Sequence, residues 1–457
     1  MKKTLLLTSL VASMVAMAGT TGSVKSFAES EAKFKTEKSV STTDQKKLET
    51  KTTKSYEVGK IGVETEVKVK GSGLSFGGTF QAEKLSLDPA PTKDKFLDHS
   101  KVWAKYELPE IKGVKSFVKA TAEPKFIGDD YDKGSVELEG QASYKYGEFT
   151  FGLNSKTNFP FVQKTANVNY GTDVKSTHKV FVESEKDKNV FKGLKDVKAN
   201  VEVKHNYAKT ITKAGERVDY VSGEVSAKYD AVKVLELEGK VAFKKNISGE
   251  EIGDYEVLGT KLFEKRSARY MHSYELKGTY KGVKHLTLSA KPFVAHVNLS
   301  KDKQSRVDKV LYGVELDAEY KMLNDKLTLT GKSLLAGVHD RVFDGTKAKD
   351  SQLTKTNAGV FVFDANAKYD YSVTDKFTVS PEANANLELL VIKPGDKLVT
   401  VPSLTLTPKV SAEYKPTDTL TLKGSVEAPV KFGVNKDKFE YKQTQLKTSL
   451  NLKYEWK

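Results

Sequence analysis

The sequence predicts an all-β fold, a transmembrane antiparallel up-and-down β-barrel of about 18 strands, within a range of roughly 16 to 20. Three observations carry that prediction. Long stretches alternate between apolar and polar residues, a tyrosine followed by a short turn and a Leu-x-Leu pair recurs at the joints, and short joints take turns with longer polar stretches.

The chain has 457 residues, 38% hydrophobic and 30% charged, with a net charge of +15 and no cysteine. Met1 to Ala18, MKKTLLLTSLVASMVAMA, sets two lysines before an apolar run that ends in the triplet Ala16-Met17-Ala18. This pattern reads as a secretory signal peptide, residues 1–18, cleaved after Ala18. A second small-residue site after Ala28 would leave a long polar gap behind the apolar run. Without cysteine there is neither a lipid anchor at the cleavage site nor a disulfide to staple an exported fold. Residues 19–56, which contain the Lys-, Thr-, Ser- and Glu-rich stretch Glu29 to Ser55, read as a polar, flexible N-terminal arm.

Residues 57–457 are expected to form the barrel. No apolar stretch there approaches the ~18 residues that a membrane helix needs. A mean hydropathy of −0.48 would ordinarily indicate a soluble chain. That inference fails for a barrel whose strands show every second residue to lipid and point the rest into water. In VLYGVELDAEYK, Val310, Tyr312, Val314, Leu316, Ala318 and Tyr320 oppose Gly313, Glu315, Asp317, Glu319 and Lys321, with Leu311 as the exception. In NAGVFVFDANAKYD, Phe361, Phe363, Ala365, Ala367 and Tyr369 oppose Asp364, Asn366, Lys368 and Asp370. KFTVSPEANANLELLV and LKTSLNLKYEWK repeat the pattern. Runs of about ten to sixteen residues exceed the usual five or six of globular strands and suit a tilted membrane crossing.

The joints carry Tyr106, Tyr144, Tyr229, Tyr280, Tyr320, Tyr369 and Tyr414, and the last run ends with Tyr454 and Trp456. These nine aromatics fall on the apolar parity near strand ends. An amphipathic ring belongs where a bilayer meets water, so they are expected to form an interface girdle. In a soluble β-sandwich they would be ordinary hairpin-flanking tyrosines, but a sandwich has no need of so many long strands. Strands ending near residues 106, 144, 185, 229, 280, 320, 369, 414 and 454, each with an ascending partner, give the estimate of 18. Tyr56 to Lys84 could hold one strand or two, and the joint at Asp187 to Lys195 lacks the tyrosine. Pro292, Pro381, Pro408 and Pro429 lie within the runs, and because proline cannot donate to a ladder each predicts a bulge or interruption.

On this architecture the chain resembles the bacterial outer-membrane β-barrel porins of Gram-negative cells, over residues 57–457. The resemblance implies location in the outer membrane, contact with its lipid, insertion by the barrel-assembly machinery and a homotrimer. It also implies a terminal aromatic residue as assembly signal; Tyr454 and Trp456 fit, while Lys457 departs from the pattern.

The polar parity points to function. It contains Lys277, Glu315, Asp317, Glu319, Lys332, Asp364, Lys368, Glu382, Glu388, Lys409, Glu413, Lys423 and Glu427, expected to line a pore. Such charges are disfavoured in a dry core but suit a wide barrel that encloses water. The expected function is passive diffusion of small hydrophilic solutes, with mixed charge arguing against strong ion selectivity. The competing readings are a barrel plugged by a loop or by the arm, a surface adhesin or receptor with little conductance, and a secreted soluble β-protein. Asn246 to Lys265 and Asp340 to Thr356 are long enough to fold inward as a constriction. Trp103, Phe117, Tyr220 and Phe293 are inward candidates for stacking on sugars, though such rings more often pack a wall.

No enzyme motif stands out. The seven histidines show no metal-ligand spacing, and there is neither a Gly-rich phosphate loop nor a Gly-x-Ser-x-Gly elbow. His339-Asp340 is the one pair reminiscent of a hydrolase site. No cofactor, metal or nucleic-acid partner is expected, since the lysines are spread along alternate positions rather than gathered in a patch.

Overall fold

The computed structural model describes residues 19–40, 48–86, 100–123, 134–160, 174–206, 219–248, 255–257, 260–263, 270–300, 305–344, 346, 353–392, 399–435 and 438–456. The expected signal peptide, His99 and most of the longer connections lie outside them. The chain begins with β1 (Thr20–Val40), β2 (Leu48–Val69), β3 (Leu74–Ser86), β4 (Lys101–Ile111), β5 (Val114–Glu123), β6 (Ser135–Tyr146) and β7 (Phe149–Pro160). It continues through β8 (Lys175–Ser184), the stub β9 (Asn189–Phe191), β10 (Leu194–Asn206), β11 (Asp219–Val232) and β12 (Leu235–Ser248). A small separate hairpin, β13 (Tyr255–Val257) and β14 (Thr260–Phe263), precedes β15 (Tyr270–Val283), β16 (Leu286–Ser300), β17 (Ser305–Met322) and β18 (Leu327–Asp344). The last strands are β19 (Leu353–Tyr369), β20 (Tyr371–Thr374), β21 (Phe377–Ile392), β22 (Val399–Thr417), β23 (Leu420–Glu427), β24 (Val430–Asn435) and β25 (Lys438–Trp456).

Each strand pairs antiparallel with its neighbour, and β1 pairs with both β2 and β25, so the sheet closes on itself. The sheet holds 23 strands, of which β9, β20 and β24 continue the crossings begun by β8, β19 and β23. The result is a closed antiparallel barrel of 20 strands, not about 18. The two additional crossings come from the segment read as a flexible arm. Thr20–Val40 is a strand bonded on both edges, with Gly22 opposite Trp456 and Val24 opposite Tyr454. Leu48–Val69 is the next, so Tyr56 to Lys84 holds parts of two strands. The arm's weak apolar signal misleads because pairing supplies backbone bonds whatever the side chains are. One of its two partners, β2, lay in the same misread segment, and the other lies more than 400 positions away.

The connections at one end are tight. Between β17 and β18, Leu323, Asn324 and Asp325 all take left-handed φ values of 52, 57 and 63°. Asn and Asp tolerate this conformation readily. The tyrosine-free joint is built differently. Asp187 N–H donates to Asp196 Oδ1 at 2.8 Å, and Val197 N–H donates to Ser184 Oγ at 2.9 Å, bracing a bulged turn. At the other end the strands reach further than the sequence suggests. β18 runs to Asp344 and β19 starts at Leu353, which shortens the Asp340 to Thr356 loop, and β12 takes Asn246 to Ser248 from the other loop candidate.

All four prolines sit at interruptions. Pro292 faces the gap where the β15–β16 ladder passes from Glu275↔Phe293 to Gly278↔Ala290. Pro381 lies beside the break at Asp370, between β19 and β20, where Ser380 Oγ donates to Asp370 Oδ1 at 2.5 Å. Pro408 and Pro429 share the break between β23 and β24, and there Ala428 N–H donates to the Pro408 carbonyl at 2.9 Å.

Directly opposed Gly–aromatic pairs recur: Phe27 with Gly62, Trp103 with Gly77, Phe181 with Gly152 and Phe293 with Gly313. The ring lies over the bare glycine and supplies the packing that glycine lacks. A Cβ on Gly77 would lie 2.2 Å from the Thr65 carbonyl oxygen and 2.9 Å from Trp103 Cζ2. Gly77→Ala should therefore cost about 1–3 kcal/mol. The measurement is the urea midpoint of the refolded barrel, and an unchanged midpoint would show that ring and strand yield without penalty.

Candidate functional site: the inner wall

A closed sheet has a concave and a convex face. Side chains converge on the concave face and cover one another, whereas on the convex face they diverge. Exposure separates the two: along β17 and β18, Tyr312 and Leu335 are 53% and 60% exposed, while Leu311 and Leu334 are 1% and 0% exposed. The apolar parity containing Tyr312, Leu316 and Tyr320 is thus the outer face, and the parity of Glu315, Asp317 and Glu319 is the inner one.

All thirteen expected pore residues share the inner parity, and most are held by neighbours on that wall. Glu315 meets Lys291 at 2.7 Å, Glu382 meets Lys409 at 3.6 Å, and Glu427 meets Lys447 at 3.3 Å. Glu413 joins Lys423 at 2.5 Å and also pairs with Lys415. Glu319 and Lys368 pair along their own chains with Lys321 at 3.2 Å and Asp370 at 2.9 Å. Asp364 accepts from Asn384 at 2.9 Å and Asn386 at 3.3 Å, and Asp317 accepts from Ser289 at 3.0 Å. By register Lys332 lies between Asp317 and Asp364, Lys277 opposes Glu238, and Glu388 opposes Ser403. The structure therefore spreads these charges along the inner face of β15 to β23, many of them in cross-strand ladders, and gathers them into no single constellation.

Trp103, Phe117, Tyr220 and Phe293 are also on the inner face. Three of these rings carry lysines: Lys119 over Trp103 at 5.3 Å, Lys105 over Phe117 at 4.4 Å, and both Lys204 and Lys244 over Tyr220, at 5.6 and 4.0 Å. Phe27 and Phe181 join them, although the sequence reading passed over both. Phe27 lay in the supposed arm, and Phe181 lay in a run too short to fix its parity.

A second inner feature also escaped the sequence reading. Phe293, Ala295, Leu311, Leu334, Ala336, Val360 and Val362 form a buried apolar cluster across β16 to β19. The signal existed in Leu311, which broke the alternation, and in the unbroken apolar runs SLLAG and VFVF.

On the outer face the expected girdle falls into register. Tyr320 lies between Leu286 and Leu329, Tyr280 between Leu235 and Leu288, and Tyr229 between Leu194 and Leu237. Tyr106 pairs with Leu74, Tyr144 with Phe151, Tyr369 with Leu327, Tyr414 with Leu422, and Tyr454 with Leu420. Trp456 opposes Gly22. The recurrent Leu-x-Leu is the cross-strand partner of the tyrosine. At the opposite end the outer face turns polar. There His178 bonds Ser155 at 2.9 Å, His296 Nδ1 meets His272 Nε2 at 3.2 Å, and Asn298 donates to Asp308 at 2.6 Å.

His339 and Asp340 do not form a joint site. His339 meets Asn357 at 2.7 Å on the outer face, whereas Asp340 pairs with Lys309 at 2.7 Å on the inner one. Adjacent residues of a strand point to opposite faces.

The turn after β8 carries the most perturbed exposed acid. Hydrogen bonds from Lys145 and Lys188 hold the Glu185 carboxyl down to about 2. A depressed folded value means that its contribution is complete above the ordinary carboxylate value and is lost as pH falls towards about 2. An NMR titration of Glu185 should show its midpoint near that value, and Lys145→Ala combined with Lys188→Ala should return it to the ordinary range. A normal midpoint in the unaltered protein would refute the pairing.

No family model and no curated protein matches the chain. Similar solved structures include the siderophore receptor PirA from Pseudomonas aeruginosa, at 10% identity over 95% of this chain and 80% of that one, with a TM-score of 0.47. The outer membrane protein OmpT of Vibrio cholerae, in trimer form, is 11% identical over 96% of this chain and 100% of that one, with a TM-score of 0.34. The outer membrane channel DcaP of Acinetobacter baumannii is 11% identical over 96% and 99%, with a TM-score of 0.34.

Proposed function

We propose that the barrel spans the outer membrane and passes small hydrophilic solutes by passive diffusion. The observation that carries this reading is the opposition of the two faces around a closed ring of 20 strands. On β17 the outer apolar band runs from Val310, beside His296 and His339, to Tyr320. Ten residues at about 3.3 Å each, tilted by about 40°, span about 25 Å, the height of a lipid-facing band. Tyr106, Tyr144, Tyr229, Tyr280, Tyr320, Tyr369, Tyr414, Tyr454 and Trp456 then mark one lipid boundary, and the polar histidine level marks the other. The ladder of charges on the inner wall lines a wet passage. The mechanism is steric and electrostatic, without a chemical step. Export would use residues 1–18 as the signal, insertion would need the barrel-assembly machinery, and a homotrimer fits the reading.

A second reading is a surface receptor or adhesin with little conductance. The buried apolar cluster on the inner face of β16 to β19 favours it, because an apolar wall patch in a fully open lumen would be wet.

Planar-bilayer recording of the refolded protein separates the two. Stepwise channels on the order of a nanosiemens are expected for a water-filled barrel of this width; silent insertion would favour the receptor, and failure to partition into membranes would defeat both. The membrane register has its own test. Leu316→Arg, in the middle of the outer band, should cost about 2–4 kcal/mol of stability in lipid. Tyr320→Asp should impair insertion more than Glu319→Asp, its inward neighbour, and equal tolerance would break the assignment of faces.

A further inference from the structure

We propose that the inner wall, at the end of the longer connections, carries an anion-binding site made by Lys175, Lys179, Lys204 and Lys244 around Tyr220, suited to a small phosphate-bearing solute. It rests on the channel reading only for its effect on transport.

Four neighbouring strands supply the site. Lys175 and Lys179 come from β8, Lys204 from β10, Tyr220 from β11 and Lys244 from β12. Register places Lys204 opposite both Thr177 and Tyr220, Lys179 opposite Glu202, and Lys244 opposite Ser222, beside Tyr220. Two ammonium groups share one ring, Lys244 at 4.0 Å and Lys204 at 5.6 Å from its centroid.

What distinguishes the site is its charge balance. Lysines lower on the same strands are neutralised, as in Lys240 with Glu224 at 2.8 Å and Lys228 with Asp196 at 3.3 Å. Among the described residues no carboxylate oxygen lies within 4.0 Å of any of the four lysines. The local acid, Glu202, accepts the Tyr220 hydroxyl at 3.3 Å. Glu224 is engaged by Lys240, Glu137 is engaged by Lys156 opposite Thr177, and the inner neighbours Thr177 and Ser222 are neutral.

Among the described residues, the four lysines at this level therefore face one carboxylate, that of Glu202, which no other lysine engages. Lysine binds phosphate as a mobile point charge, and its long stem can swing from an aromatic face towards an incoming anion. A compact, multiply charged anion gains from several such groups at once, whereas a neutral sugar gains nothing from them. At the mouth of a channel, the cluster would raise the local concentration of anions and bias permeation towards them.

The probe is inorganic tripolyphosphate, titrated calorimetrically into the detergent-solubilised full-length barrel at low salt. Binding is expected, with each of Lys204→Gln and Lys244→Gln weakening it about tenfold. Raising the salt should weaken it further, because the charges are solvent-accessible. Lys409→Gln, on the opposite part of the wall, should bind as the unaltered protein does. Circular dichroism and a heat-shifted gel band establish that each variant is folded. Absence of binding up to about 1 mM, or equal binding by the folded Lys204→Gln/Lys244→Gln double variant, overturns the proposal. The channel reading is judged separately. A barrel silent in the bilayer that still binds tripolyphosphate through these lysines defeats the channel and keeps the site, and a conducting barrel without lysine-dependent binding does the reverse.

Discussion

Closure between β1 and β25 is the constraint on which the rest of the architecture depends. An open sheet leaves a row of N–H and C=O groups without partners, and in hydrocarbon each such group costs several kcal/mol, on the order of a lost hydrogen bond. Pairing Gly22 to Lys35 along Trp456 to Gln443 removes both edges at once. Once the ring is closed every strand has two neighbours, so side chains need only respect the two faces. That explains how a chain that is 30% charged holds a single sheet without disulfides. It also explains why Pro292, Pro381, Pro408 and Pro429 sit at breaks, where a missing donor leaves no ladder bond unmade.

The two faces solve different packing problems. Outside, the rings of the tyrosine level rest against leucines of the neighbouring strands, as Tyr320 does between Leu286 and Leu329. Inside, cross-strand ion pairs such as Lys291–Glu315 at 2.7 Å and Lys309–Asp340 at 2.7 Å offset charges that no dry core would accept. Both pairs are largely screened from solvent, so each partner chiefly offsets the cost of burying the other's charge. Aromatics on this face lie flat over glycines and keep their bulk against the sheet.

The inner wall is consequently uneven around the ring. One sector, β8 to β12, leaves lysines without carboxylate partners near Tyr220, and another, β16 to β19, is apolar and buried. Elsewhere many of the charges are paired, as in Glu382–Lys409 and Glu427–Lys447.

The sequence by itself determined the class of fold and the parity of runs such as those of β17, β19, β21 and β25, because an alternation of period two is local and leaves its mark wherever one face is apolar. The thirteen charged positions expected to line a pore share one parity for the same reason. Only the tertiary structure decided the strand number, the fate of Thr20–Val40 and the character of the wall. A strand such as β1, with small and polar residues on both parities, is held between its neighbour β2 and β25 at the far end of the chain. Whether Lys204 and Lys244 meet a carboxylate or an aromatic ring depends on the register of three strands, and Leu311 looked like a defect until Phe293, Leu334 and Val362 gathered around it. Neighbours across a closed sheet are set by the ring, and no local pattern records them.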